Sequence, residues 1–493
     1  MCIFALVMKG INKILIIACA LALFSSCIKG GYSESPEQRE ALTRQYVNQF
    51  AFNVMNVYYL WVAEIEDKLA TWMTNDDPKQ KILEVRYKDD SGKDIDRWSQ
   101  ITDDYASFIK SIENSNTTYG YEMTLFYTSA TKEYISAVVT FVYADSPAEK
   151  AGLKRGDIIL KVDGEPIPAA NYADIVKNKM MYSESCTLTL DDGRRISMSS
   201  VEMYCNPVHM VKVFDCGGKK VGYLHFTAFT QNACADLVKA CDALKAQGIS
   251  ELILDLRYNG GGYVQTEEVL ASMLAPEPIV ASGTVFMTEV YNALLTDKWD
   301  DDEKITYFRN RFKVNGSTVD TAESNLGLTK LYVIMSSGSA SASEALVCGL
   351  KPFMDLDIVG QQSYGKYCSG YIIEAASWYD NYKDVIEAKE VKNGKKYAAN
   401  WGIYVMVGRY ADKNGETPCM PYGFTPDYTS EDNPLDGYQL GDPNETMLKT
   451  ALTLAGYQYQ AATASASAKK KPALIKGPAS PKRETFGAFV HQK

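Results

Sequence analysis

The sequence predicts a multidomain α+β protein: a helical start, a β-rich middle and a larger α/β core. Three observations carry that reading. Apolar residues recur at helical spacing between Glu37 and Met73, short strands and turns fill Tyr119 to Cys205, and strands alternate with helices from Asn206 to Gly456. The chain has 493 residues, enough for two to four domains of about 100–200 residues each. With 46% hydrophobic and 23% charged residues it can build real cores, which excludes disorder throughout. It has only three histidines, His209, His225 and His491. Zinc hydrolases with several imidazole ligands are therefore excluded, no metal or other cofactor is expected, and a Ser-His-Asp triad would have to rest on His209 or His225 alone. A formal net charge of −10 argues against a nucleic-acid partner, which needs a basic face.

Residues 1–26 read as a leader. Lys9 and Lys13 precede the apolar run Ile14 to Phe24, which closes in Ser25-Ser26-Cys27. The run is too short for a comfortable membrane-spanning helix of about 20 residues. The segment resembles a bacterial lipoprotein signal, although Phe24 stands where leucine is usual. The resemblance implies lipid attachment at Cys27 and residence in the bacterial cell envelope, on the outer membrane and facing the periplasm or the cell surface. Beyond it lie eight cysteines with no CxxC pair, read mainly as buried free thiols.

Residues 27–116 are expected to form a helical domain. Leu42, Tyr46, Phe50, Val54, Val57 and Leu60 share one helical face, a turn-rich stretch follows, and a second helix is expected near Asp103–Ile112. Tyr58-Tyr59-Leu60-Trp61 reads as packing.

Residues 117–205 change to strand character, with Val138–Val142 the clearest run. A short helix opened by Ser146-Pro147 ends at Gly152, a Gly156-Asp157 turn follows, and the strand Ile158–Val162 ends in Asp163-Gly164. This segment resembles a PDZ domain of the bacterial protease type. The resemblance implies capture of a peptide C-terminus, with Tyr119-Gly120-Tyr121-Glu122-Met123 as the peptide-binding loop.

Residues 206–460 read as the α/β core, with strands Val221–Phe226, Glu251–Leu256 and Leu331–Met335 and a helix over Asp236–Lys245. Three loops stand at strand ends. Asp255-Leu256-Arg257-Tyr258-Asn259-Gly260-Gly261-Gly262 runs from a strand into consecutive glycines, whose N–H groups can approach a developing negative charge. Ser336 to Leu346 joins a strand to a helix, where a nucleophile can be held, but it lacks the G-x-S-x-G pattern because Ser343 replaces the second glycine around Ser341. Gly360 to Tyr367 imitates a phosphate-binding loop, with Tyr367 where that loop needs Ser or Thr. Residues 461–493, rich in Ala, Ser, Lys and Pro, are expected to be a disordered basic tail.

In this order, after a PDZ-like segment, the three loops resemble the carboxyl-terminal processing, or tail-specific, proteases, which are serine peptidases with a Ser-Lys dyad. The resemblance runs from about Tyr119 to Gly456, where Phe424-Thr425-Pro426-Asp427 and Leu440-Gly441-Asp442-Pro443 resemble the family's closing segments. It implies a crotonase-like protease core, Ser341 as nucleophile, Lys366 as general base, and an oxyanion hole from Ala342 with Gly262 or Gly261. Lysine is almost wholly charged at neutral pH, so a base at Lys366 needs burial, here beside Val359 and Tyr364. One departure is Gly370, where many members carry a glutamine that orients the lysine; Gln361, Gln362 or a tyrosine nearby is the expected substitute.

The implied function is an exported serine endopeptidase that acts on unfolded or flexible polypeptides chosen by their exposed C-termini. The alternative is a peptide- or apolar-ligand-binding lipoprotein that keeps the fold without turnover. A conventional triad on His225 is a distant third, and a homo-oligomer is left open. By segment, the body from Cys27 to Gln460 carries −18 and the tail +6, which favours an acidic enzyme held off anionic surfaces.

Overall fold

The computed structural model describes residues 34–459, 475–478 and 489–490. The leader and Cys27 lie outside the described residues. The described residues form two compact units: one comprises those up to Ala106 with Val290–Lys304 and Gly370–Gly408, the other Ser107–Glu289, Ile305–Ser369 and those from Arg409 on. The N-terminal helical region thus recruits two segments that the sequence reading assigned to the protease core.

In the first unit, Pro36–Tyr58 is a helix opened by a reciprocal cap. Ser35 Oγ accepts the Gln38 N–H at 3.2 Å, and the Gln38 side chain accepts the Ser35 N–H at 3.1 Å. Its buried face, Tyr46, Phe50, Val54 and Tyr58 among others, follows the expected spacing. Phe50 meets Trp378 edge-on and Tyr46 stacks on Tyr397, side chains of the Ala375–Asn381 and Ala388–Tyr397 helices. The helical stretch expected through Met73 breaks at Tyr59. Its hydroxyl donates to Asp96 and accepts the Tyr87 N–H, both at 2.9 Å, and this buried partner outweighs helix continuation. The turn-rich stretch also holds a helix at Pro78–Val85, capped by Asp77. The strand Gln100–Thr102 pairs antiparallel with Gly402–Tyr404.

Two of the second unit's sheets frame the site. One follows the order Ile475–Lys476, Tyr121–Tyr127, Tyr134–Val142, Glu165–Pro168, Ile158–Val162, Ser185–Leu190, Arg195–Ser199. Its core is built from alternate strand residues such as Leu125, Ile135, Ala137, Val139, Ile159, Leu188 and Ile196. The other sheet has six strands in the order Val208–Cys216, Lys219–Phe226, Glu251–Asp255, Lys330–Met335, Leu356–Gly360, Tyr428–Thr429. The first two form an antiparallel hairpin and the rest run parallel. The parallel strands read as continuous apolar runs because both faces are covered. Their C-terminal ends carry all three loops singled out in the sequence, where open parallel sheets place their ligands.

The tail corrects one expectation. Ile475–Lys476 and Phe489–Val490 are strands, so disorder does not extend to these residues. All eight cysteines of the body are buried free thiols, as expected.

Candidate active site

The Ser336–Ser341 turn lies directly against the glycine loop. Ser336 Oγ donates to the Arg257 carbonyl, Ser339 Oγ to Leu256 O at 2.8 Å, and Ser343 Oγ to Asn259 O at 2.9 Å. The Ala340 N–H also donates to Asn259 O. The buried serines flanking Ser341 are therefore committed to holding two loops together. Ser341 differs: it is fully buried and its Oγ has no hydrogen-bond partner among the described residues. Its backbone sits at φ 63°, ψ −117°, a conformation that L-residues rarely adopt, immediately before the Ala342–Leu350 helix. The sequence lacks the usual glycine pair, yet the chain turns at Ser341 directly from loop into helix.

Glycine at 261 is required by close approach. A Cβ there would stand 2.8 Å from Ser341 Cβ and 3.0 Å from Ala342 N, at φ 107°. The Gly261 N–H donates to Asn259 Oδ1 at 2.9 Å, so it is already engaged within its own loop. Gly262 packs on Phe229, whose carbonyl a Cβ would meet at 2.2 Å.

Glu344 joins the Ser341 turn to the Lys366 loop. One oxygen accepts the N–H groups of Ser341 at 3.0 Å and Lys366 at 2.8 Å. The other accepts the Gly365 N–H at 2.7 Å and the Ser363 hydroxyl. Burial pushes this carboxyl above the usual range, while the four donors act in the opposite direction. Its signal was present in the sequence: Ser341-x-x-Glu344 has the spacing of a capping box, in which the N3 carboxylate reaches back to the cap N–H.

Lys366 is 1% exposed, and its carbonyl accepts the Tyr410 hydroxyl at 2.9 Å. Val359 is buried and Tyr364 partly so. Because Ser341 Oγ is unpartnered, the Ser341–Lys366 hydrogen bond is not made in this conformation. Gly370 lies against Tyr404, Val405 and Met406, and a Cβ would meet the Val405 carbonyl at 2.8 Å. A glutamine therefore does not fit there. Of the expected substitutes, Gln362 donates instead to Tyr422 O at 2.8 Å, and Tyr410 holds the lysine's backbone.

The expected peptide-binding loop leads into the Tyr121–Tyr127 strand, which carries Glu122 and Met123. Tyr119 is buried, with its hydroxyl at Ser183, and the Gly120 N–H donates to Thr118 Oγ1. Its Cβ would overlap Ser146, so glycine is needed at this φ of 78°.

Two features at the junction of the sheets were not legible in sequence. Arg155, from the Gly-Asp turn, is 4% exposed and bonds Asp432 at 2.8 Å, the Tyr258 hydroxyl at 2.7 Å and Thr140 O at 2.9 Å. Arg257 grips Glu445 with two bonds, at 2.6 and 2.9 Å, and also reaches Asp255. Burial opposes the charge on Asp432, but Arg155 and Arg257 hold its carboxyl below the ordinary value. Nearby, His225 and His209 face each other with Nδ1 atoms 2.9 Å apart, ringed by Phe141 and Tyr258. His209 Nε2 donates to Val142 O, so its Nδ1 accepts from His225 and His225 Nε2 is left with no partner. His225 is thus engaged with His209 and makes no bond to Ser341.

Comparison with known proteins agrees with this geometry. Residues 220–430 match the model of peptidase family S41, and residues 138–179 match a PDZ domain model. A carboxyl-terminal-processing protease of Picosynechococcus is 29% identical over 227 residues, 45% of this chain and 48% of the relative. The carboxy-terminal processing protease CtpB of Bacillus subtilis is 29% identical over 239 residues, 46% of this chain and 44% of the relative. The chain thus spans under half the length of these curated relatives. A Bacteroides fragilis crystal structure, itself a candidate S41 protease, superposes with a TM-score of 0.62 at 20% identity, covering 87% of this chain and 98% of that one, which establishes the shared fold. With a PDZ domain match ahead of a peptidase family S41 match, the chain is similar to the carboxyl-terminal processing proteases.

Proposed function

We propose that the protein is a serine endopeptidase working through a Ser341–Lys366 dyad. The observation that carries this reading is the contrast among the motif serines: Ser336, Ser339 and Ser343 are bonded to the neighbouring loop, while Ser341 alone is held strained, buried and unbonded. In the reaction Lys366, free of its proton, takes the Ser341 proton as Oγ attacks a peptide carbonyl. The N–H groups of Ala342 and Gly262 face the developing oxyanion, and Gly261 serves chiefly to admit Ser341 close to the loop. The proton then passes to the leaving amine, and water hydrolyses the acyl-enzyme. Burial of Lys366 supports its role, since a low-dielectric site disfavours the ammonium.

The substrates are unfolded or flexible polypeptides chosen through their C-termini at the PDZ domain. The leader and Cys27 support export and a lipid anchor in the bacterial envelope. The test is cleavage of a denatured protein by the full chain beside Ser341→Ala and Lys366→Ala; equal rates in all three would refute the dyad. A second reading, a non-catalytic peptide or apolar-ligand binder, draws on the unmade Ser341–Lys366 bond and on Gly370. A serine-directed covalent probe that labels the wild type but not Ser341→Ala decides for the enzyme.

A further inference from the structure

The chain's own tail occupies two positions that a polypeptide substrate would need. Ile475 and Lys476 pair antiparallel with Tyr127 and Phe126, and the Gly477 N–H donates to Leu125 O at 3.1 Å. Ile475–Lys476 is therefore the outermost strand of the PDZ sheet. As the tail advances it moves from Tyr127 toward Tyr121, so its C-terminal direction points at the Tyr119–Gly120 loop. Further on, Phe489 and Val490 pair in parallel with Gly262 and Tyr263, the strand that leaves the glycine loop beside Ser341.

We infer that Ile475–Lys476 and Phe489–Val490 are tethered occupants of the protein's own peptide-binding edge and active-site strand, which an external polypeptide must displace. A sheet edge offers one row of N–H and C=O groups and accepts one added strand at a time. Eleven residues separate Gly477 from Phe489, enough to link sites up to about 40 Å apart. Tethering holds a tail segment at an effective concentration of about millimolar, so even weak pairing competes with dilute ligands. Charge acts in the same direction, since the tail carries seven basic residues against Glu484 and the body is acidic. Gly477 suits this use: a Cβ there would lie 2.6 Å from Leu125 O and 2.7 Å from Phe126 N, so the approach to the PDZ strand admits only glycine. The inference rests on the proposed function for its consequence, regulation of cleavage, but its binding content stands apart from turnover.

The experiment uses the full chain carrying Ser341→Ala, with and without Gly477→Pro, which removes the donating N–H and fills the space against Leu125. Amide hydrogen exchange is followed over Tyr121–Tyr127 and Gly262–Tyr263, together with binding of a fluorescein-labelled synthetic peptide of residues 469–493. Expected are exchange about tenfold faster over Tyr121–Tyr127 in Gly477→Pro and labelled-peptide binding about tenfold tighter. Equal exchange and equal peptide binding in the two proteins overturn the inference. Protection that disappears on dilution also overturns it, because the strand would then come from a second copy. With Ser341 intact, Gly477→Pro should cleave a denatured protein several-fold faster. If exchange and binding shift but no variant cleaves, the occupancy stands and the peptidase reading fails.

Discussion

Removing the Glu344 carboxylate should damage the site more than its distance from any reacting bond suggests. In Glu344→Ala the N–H groups of Ser341, Gly365 and Lys366 and the Ser363 hydroxyl lose their acceptor inside the protein. Each buried donor left unsatisfied costs about 1–3 kcal/mol. Part of this is offset because the variant no longer buries a carboxylate, and neighbours in one network do not add fully. A net loss of about 3–5 kcal/mol is expected. Glu344→Gln keeps one accepting oxygen and turns an NH2 toward the other pair of donors, so it should lose about 2–3 kcal/mol. Urea unfolding measures both. If the proposed dyad operates, activity should fall further than the unfolded fraction explains, because the same oxygen positions the backbones of Ser341 and Lys366; the rate of serine-probe labelling, per folded molecule, isolates that effect. A Glu344→Ala protein within 1 kcal/mol of wild type, with unchanged labelling, would refute the reasoning.

Two further outcomes are expected. Burial, and for His225 also His209, Arg257 and Arg155, holds both imidazoles below the ordinary histidine value. The unfolded chain then binds protons that the folded one refuses, so stability is full above about pH 6.5 and is lost as pH falls, by up to about 1.4 kcal/mol per pH unit for each histidine. His225→Phe should remove about half of the pair's share of that slope in urea titrations between pH 6.5 and 5.5; an unchanged slope would contradict the neutral pair. Arg155→Leu leaves Asp432 buried with a single guanidinium partner and should cost about 3–5 kcal/mol, with Asp432→Asn in the same chain restoring part. A loss below 1 kcal/mol would show the junction to be better hydrated than its burial implies.

Much of the core was legible because its strands are uniform apolar runs that end in marked loops. Val221–Phe226, Glu251–Asp255 and Leu331–Met335 all stand where their composition places them, and so the loops bearing Gly262 and Ser341 converge. What escaped sequence reading depends on partners distant along the chain. Tyr59 ends its helix because Asp96 lies 37 residues away in sequence, and no local propensity reports that bond. Residues 290–304 and 370–408 read as protease core yet pack with the N-terminal helices. The tail's composition cannot support a core, but a strand added to an existing edge needs none; it borrows its hydrogen bonds from Tyr121–Tyr127. Glu344 stands at a helix start, and three of its four donors come from a different loop, so their bonds cannot be read locally.

The backbone of Ser341 carries a consequence for the chain's history. A non-glycine residue at φ 63°, ψ −117° costs the folded state about 1–3 kcal/mol, a burden glycine would escape. Ser341→Gly should therefore yield a more stable, inert protein, and drift without selection for the hydroxyl would be drawn toward such replacements. Under the proposed function, the hydroxyl of Ser341 is retained against a standing cost in stability.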